Sequence, residues 1–271
     1  MKNFFNEGKI IIASRASPLA IKQCEIIIKI LKDFDTKIIP LKTRGDKIQN
    51  RLLSEIGGKG LFIKEVEKSV ITKKAHIAIH SMKDLEWKLN NLTKIGAVPI
   101  RESYSDIFIS KWENIENVPK NIRIGTSSVR RKAFLLAYNP KFKISLLRGN
   151  INTRIKKFFN GDFDAIVLSE VGLKRLGIKV NYFKIPEEIL LPSPGQGALA
   201  VQCLKNSNNL VNVLNLINNK NAYTETNCER IFTKTLNGNC SSPISALAKI
   251  KENEITLQGA VAKEDGSLVI R

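Results

Sequence analysis

The chain has 271 residues, 43% of them hydrophobic, and a formal charge of +19, with four cysteines and two histidines. That length sustains a real core divided among about two or three lobes, and no window approaches the roughly 20 consecutive apolar residues that span a bilayer. With no export signal in MKNFFNEGKIIIAS, no CxxC pair and no histidine cluster, the composition points to a cytoplasmic protein with no membrane partner, no disulfide framework and no metal site.

KIIIAS at 9–14 predicts a short strand, and Ser17 with Pro18 supplies an N-cap and first-turn pair for a helix to about Leu31. TKIIPLK at 36–42 predicts a second strand ahead of the TRGD loop, GKGLFIKEVEKSVITKK at 58–74 a helix, and HIAIHS at 76–81 a strand that stops at MKDL. This βαβ order implies a parallel or mixed sheet with helices on both faces. The same units recur from about residue 101, with strands over SDIFIS, IRIGTS, KISLLRG and DAIVLS and helices over SSVRRKAFLLAYN, NINTRIKKFFNG and EVGLKRLG. IIIASRASPLA and IRIGTSSVRRKAFLLA each set a hydroxyl-rich turn and an arginine between strand and helix, which implies two similar lobes. LLPSPGQGALAVQC at 190–203 joins a Pro/Gly turn to a strand and suits a return from one lobe to the other. Helices at about 208–218 and 222–236 then lead to three apolar strands, ISALAKI, EITLQGAVAK and SLVI, in a small α+β unit. The expected division is 1–97 with 198–217, then 98–197, then 218–271.

The basic excess consists of 32 lysines, scattered among Asn and Ile as solvated surface, and 12 arginines. No dense basic run with interleaved aromatics is present, so a nucleic-acid partner is not expected. The arginines are more informative: Arg15, Arg44, Arg130, Arg131, Arg148, Arg154 and Arg175 mostly lie beside Ser, Thr or Gly where an apolar run meets a helical pattern. Such junctions present unsatisfied backbone N–H groups and the positive end of the helix dipole. Arginine there grips a planar carboxylate through two parallel hydrogen bonds. GTSSVRR and LLRGNINTR therefore read as parts of a cleft for several carboxylates or phosphates, against the plainer reading of surface arginines in exchangeable ion pairs.

HSMKDL sets an acid beside a base at a strand end, where ligand crevices form in open α/β sheets. Asp84 is a candidate for proton transfer or for stabilising a cationic intermediate and Lys83 for holding an anionic group, against a solvated Lys-Asp pair. His76 reads as packed, and His80, on the same strand face, as support for the site loop. Cys24, Cys203 and Cys228 fall in apolar or helical patterns as small buried hydrophobes. Cys240 instead sits in the turn chemistry of LNGNCSSPISA, where Gly238 and Asn239 permit positive φ and leave a side chain accessible.

RASPLA, TRGD, GGKGLF, HSMKD, GTSSVRR, LRGNINTR, GLKRLG, PGQGALAVQC and the Gly-Asn-Cys turn stand in one order, and together they closely resemble the porphobilinogen deaminase family from about residue 9 to the end. The resemblance implies an α/β fold: two periplasmic-binding-protein-like lobes, with mixed sheets and helices on both faces, plus a small α+β third domain that is C-terminally short against the family. It implies a dipyrromethane cofactor joined to Cys240 through a thioether. The implied activity is that of a monomeric transferase which condenses four porphobilinogen molecules head to tail, with loss of ammonia, into linear hydroxymethylbilane for tetrapyrrole and haem synthesis. Porphobilinogen carries an acetate and a propionate on its ring, so the growing chain is a polyanion suited to an arginine-lined cleft. By the same resemblance Asp84 is the catalytic aspartate, and Arg15, Ser17, Ser81, Lys83, Thr126, Ser127, Ser128, Arg130, Arg131, Arg148, Arg154, Arg175 and Gln196 bind cofactor or substrate, while Lys59 and Phe62 belong to a lid.

The chain departs from the family pattern in four places. Leu85-Glu86 replaces a hydrophobe and Pro, implying a less rigid loop; Glu55 stands where a basic residue is usual; Asn239 replaces the second Gly before the cysteine; and the short third domain implies an apolar sheet face left exposed. The competing readings are a two-lobed anionic-ligand-binding protein without chemistry, an impaired truncated homologue, and, from charge alone, a nucleic-acid binder.

Overall fold

The computed structural model describes residues 8–43, 63–239 and 241–271. In chain order the elements are β1 (Lys9–Arg15), α1 (Pro18–Ile30), β2 (Asp35–Leu41), α2 (Lys64–Ile71), β3 (Ile77–Ser81), β4 (Thr93–Ala97), β5 (Asp106–Ile109), β6 (Arg123–Gly125), α3 (Val129–Tyr138) and β7 (Lys143–Ser145). There follow α4 (Ile151–Phe159), β8 (Ala165–Ser169), α5 (Glu170–Leu176), β9 (Phe183–Lys184), β10 (Leu199–Leu204), α6 (Val211–Ile217), α7 (Lys220–Thr235), β11 (Ile244–Lys251), β12 (Glu254–Ala262) and β13 (Val269–Ile270). They form two compact units, 1–102 with 198–227 and 103–197 with 228–271.

The first unit holds a five-stranded sheet in the order β2-β1-β3-β10-β4. β1 runs parallel to β2 and β3, whereas β10 is antiparallel to β3 and β4. Alternation along β1 sends Ile10 and Ile12 into a core with Cys24, Ile27 and Leu214, while Ala13 meets Val66 and Val70 of α2. The sheet is thus covered on both faces. Pro40 lies in β2, the edge strand, where its missing N–H costs no ladder bond.

The second unit repeats the arrangement, with strand order β7-β6-β8-β5-β9, β6 parallel to β7 and β8, and β5 antiparallel to β8 and β9. The two lobes are alike, as the strand–turn–helix likeness implied. One face carries Phe108, Ile124, Ala165 and Val167, which share a core with Ala133 and Phe134 of α3 and with Leu247, Ala260 and Ala262 of the antiparallel sheet β11-β12-β13. The other face carries Ile107, Ile109, Ile166 and Leu168 against Ile155 and Leu173. The small sheet approaches α3 closely at Gly266: its φ is +76°, and a Cβ there would lie 2.5 Å from Ala137 N. On the same small sheet Ile255, Leu257, Leu268 and Ile270 are between 40% and 63% exposed.

Two strands escape the sequence reading. β4 is five residues containing Gly96, and β9 only two residues, too short for a periodicity. Gly96 is needed where β4 meets α6: a Cβ there would fall 2.7 Å from Cys203 Sγ and 2.9 Å from Leu214.

Candidate active site

In the first unit the candidate site residues gather at the carboxyl ends of two neighbouring parallel strands, β1 and β3. Arg15 ends β1, and Ser17 caps α1 by accepting a hydrogen bond from Ala20 N at 3.4 Å. β3 ends at Ser81, whose hydroxyl accepts from Nε2 of the buried Gln23 on α1 at 2.8 Å. A single 3-10 turn, Met82–Asp84, follows. Met82 and Leu85 are buried and pack with Val98, Ala198 and Ala200, and Met82 N donates to Ala198 O at 3.0 Å. The apolar residues at both ends of MKDL pin the turn, and the two charged residues between them, Lys83 and Asp84, are left half-buried. Leu85, buried in that cluster, precedes Glu86, which stands where the family pattern has proline.

The second unit places its hydroxyls and arginines in the same topological positions, after the parallel strands β6 and β7. Thr126 Oγ1 accepts from Ser128 N at 3.2 Å, Ser128 Oγ caps α3 by accepting from Arg131 N at 3.4 Å, and Ser127 is half-buried beside them. Asn150 caps α4 through Thr153 N at 2.9 Å. Gly149, at φ +112°, lets the chain turn beside Thr153, where a Cβ would come within 2.7 Å. Arg148 and Arg154 flank this turn half-buried, and Arg154 Nε donates to Gly149 O at 2.7 Å. Arg175, in the last turn of α5, donates to Gly197 O at 2.9 Å.

Arg130 and Arg131 lie elsewhere than their motif implied. Both turn inward and are at most 6% exposed. Arg130 Nη2 donates to Asp106 Oδ2 at 2.6 Å and Nη1 to Leu191 O at 2.6 Å. Arg131 grips Asp106 Oδ1 through Nε at 3.0 Å and Nη2 at 2.7 Å, and its Nη1 donates to Val167 O at 2.8 Å. Gln196, fully buried, donates from Nε2 to Tyr104 O at 2.6 Å and to Asp106 Oδ1 at 3.1 Å. The forks expected on ligand carboxylates thus close on a carboxylate of the protein itself. Burial lowers the Arg130 pKa and Asp106 raises it again, and a guanidinium stays charged at any working pH.

The sequence reading passed over three acids that organise these junctions. Asp106 opens the apolar run DIFI, and an acid there needs cationic partners once the strand is buried. Glu229, wholly buried, accepts from Gly195 N at 2.6 Å and Ala248 N at 2.9 Å; its spacing from Ala222 and Thr226, also buried, was the available signal. Glu170, buried at the start of α5, accepts from Tyr182 Oη at 2.9 Å, from Ser103 Oγ and from Lys174 Nζ at 3.1 Å. Burial would raise its pKa, but these hydrogen bonds and the charge of Lys184 hold it at about 2.

Cys24 and Cys203 are buried and Cys228 partly so, all three as free thiols; burial pushes the Cys24 pKa up to about 11 and raises the other two. They have the inert character expected of them. His76 is half-buried and accepts from Ile11 N at 2.9 Å. Cys240, Arg44, Lys59, Phe62 and Glu55, with the TRGD and GGKGLF motifs beyond Thr43, lie outside the described residues. Among the described residues no helix is long and apolar enough to cross a membrane.

A family model described as porphobilinogen deaminase, dipyromethane cofactor binding domain, matches residues 10–212, and a second, porphobilinogen deaminase, C-terminal domain, matches residues 223–271. The chain belongs to the porphobilinogen deaminase family. A porphobilinogen deaminase of Buchnera aphidicola is 41% identical over 96% of this chain and 85% of its own length, and that of Clostridium novyi is 40% identical over 97% and 91%. In fold the chain is similar to a methionine-binding protein, MetQ, with a TM-score of 0.50 at 10% identity over 85% of this chain and 96% of that one. This agrees with the periplasmic-binding-protein-like lobes expected from the sequence.

The cofactor of the porphobilinogen deaminase family is dipyrromethane, and porphobilinogen is its substrate. Each unit has donors that fit groups carrying carboxylates: in the first, the half-buried Arg15 guanidinium, the Ser17 hydroxyl and the amides that open α1; in the second, half-buried guanidinium groups at Arg148, Arg154 and Arg175, hydroxyls at Ser127 and Ser128, and the amides that open α3 and α4.

Proposed function

We propose that this chain condenses four porphobilinogen molecules into hydroxymethylbilane, as a cytoplasmic monomer that takes neither nucleic acid nor membrane as a partner. Dipyrromethane, held through Cys240, supplies the nucleophilic pyrrole carbon on which the chain is built. Asp84 is the catalytic residue: its carboxylate stabilises the positive charge that develops on the substrate pyrrole nitrogen as ammonia leaves. Lys83, Arg15 and Ser17 in the first unit, and Ser127, Ser128, Arg148, Arg154 and Arg175 in the second, hold acetate and propionate groups. Ser81 fixes the turn before Asp84 through Gln23. Thr126, Arg130, Arg131 and Gln196 act one step back, by fixing the start of α3 and the 191–197 segment through Asp106. By the family resemblance Lys59 and Phe62 are assigned to a lid.

The observation that carries this reading is the placement of Asp84, in a turn pinned by Met82 and Leu85 at the carboxyl end of a central parallel strand. Intact-protein mass tests it. Wild-type protein should exceed its chain mass by one dipyrromethane, Cys240→Ala should not, and Asp84→Asn should keep the fold while losing most turnover. Unmodified wild-type protein that cannot consume porphobilinogen after being supplied with primer would exclude the reaction. Unmodified protein whose DNA binding is strongly salt-dependent would favour the nucleic-acid reading.

A further inference from the structure

A buried polar chain runs behind Asp84 in the first unit. His80 is 6% exposed on β3, and its Nε2 lies 3.0 Å from Oε1 of Gln202, a fully buried residue of β10. Gln202 Nε2 lies 2.6 Å from Oε1 of Glu67 on α2 and 2.9 Å from Oγ1 of Thr93 on β4. Glu67 Oε1 also accepts from Thr93 Oγ1 at 3.1 Å and Asn90 N at 3.4 Å.

The donor inventory determines the direction of every bond. An ionised carboxylate only accepts, so the Gln202 atom facing Glu67 is the amide nitrogen, and its two hydrogens go to Glu67 and Thr93. The amide oxygen then faces His80 and can only accept, so the ring must carry its proton on Nε2. A neutral imidazole with Nε2–H keeps Nδ1 as a bare lone pair. The charged groups acting on this ring are Asp84 on the following turn and Arg15 at the end of the neighbouring strand, with Glu67 behind Gln202. An imidazolium at this point would oppose the field of Asp84 from the strand that leads into its turn.

We propose that Gln202 and Glu67 are positioning residues that fix the buried His80 ring in its Nε2–H tautomer, so that the end of β3 adds no cation of its own to the turn that carries Asp84. The kinetic half rests on the reading of Asp84 as the catalytic carboxylate; the ring's tautomer does not. Burial is what keeps the ring neutral: it lowers the His80 pKa to about 4 against the Gln202 hydrogen bond and the charge of Asp84, which raise it.

Nitrogen NMR of the full-length holoprotein labelled at histidine tests this, since the chain has only two histidines and His76→Gln assigns the other. Wild-type His80 should show a protonated Nε2 and a bare Nδ1 from pH 5.5 to 8. In Glu67→Gln the amide can turn over, and the two tautomers should mix. The exchanged pair Glu67→Gln/Gln202→Glu keeps both hydrogen bonds but brings the charge to the ring, and the His80 pKa should rise by at least one unit. Its kcat should then gain an acid limb at the pKa read by NMR, with KM unchanged. A wild-type Nδ1–H tautomer, or His80 signals unmoved in both variants, would overturn the proposal. A raised pKa with an unaltered kcat profile would overturn its kinetic half, and the fate of the Asp84 reading is decided separately by Asp84→Asn.

Discussion

Replacing Asp106 by asparagine takes one negative charge from a place with no water to substitute for it. The Asp106 side chain has no accessible surface, and those of Arg130 and Arg131 have 5% and 8%. Two guanidinium groups would remain buried, facing an amide that returns only part of their hydrogen bonding. Breaking a buried ion pair from one side costs about 3–5 kcal/mol, a large part of the roughly 5–15 kcal/mol that holds a typical domain folded. The matched control is Asp164→Asn. Asp164 pairs with Arg123 at 3.4 Å, but the side chains are 38% and 52% accessible, and such surface pairs contribute at most about 1 kcal/mol. The chain has two tryptophans, and Trp112 packs against the core of the second unit, so a Trp87→Phe background leaves one indole reporting that unit. With urea m-values of roughly 1–3 kcal/mol/M, Asp106→Asn should lower the Trp112 midpoint by about 1 M or more, and Asp164→Asn by far less. Equal shifts in the two variants would show that Asp106 is not the counter-charge on which the two arginines depend.

Glu170→Gln should destabilise the second unit by about 1–3 kcal/mol at pH 7, from weakened charge-assisted hydrogen bonds to Ser103, Tyr182 and Lys174. Because the folded pKa of Glu170 lies near 2, below its ordinary 4.5, its contribution is present above pH 4.5 and fades as pH falls toward 2; wild-type and variant stabilities, followed by acid titration, should converge there. His80 has its folded pKa depressed from 6.5 to about 4, so the unfolded chain takes up the proton first and stability falls between those values, by about 3 kcal/mol in all. His80→Asn should flatten that part of the acid-denaturation curve, and an unchanged slope would show that the ring is not buried neutral. Gly266→Ala places a Cβ against the backbone of Ala137 at positive φ, and should lower stability by about 1–3 kcal/mol, with exchange protection lost first in β12 and β13 by hydrogen exchange.

What the sequence determined by itself is what neighbours along the chain decide. Ser17, Ser128 and Asn150 cap their helices through bonds spanning three residues, and the strand, hydroxyl turn and helix at each junction follow from apolar runs and capping chemistry that act within a turn or two. The order of motifs was likewise enough to place the chain in its family. Only the tertiary structure decided which of the arginines face inward. Arg130 and Arg131 sit in the same kind of motif as Arg148 and Arg154, but Asp106, 24 and 25 residues away in sequence, draws them into the core. The pairings of His80 with Gln202, 122 residues apart, and of Glu229 with Gly195, 34 apart, were equally out of local view. The reason is physical: a cap depends on the backbone a few residues ahead, whereas a charge is tolerated in the interior only where distant strands bring it a partner.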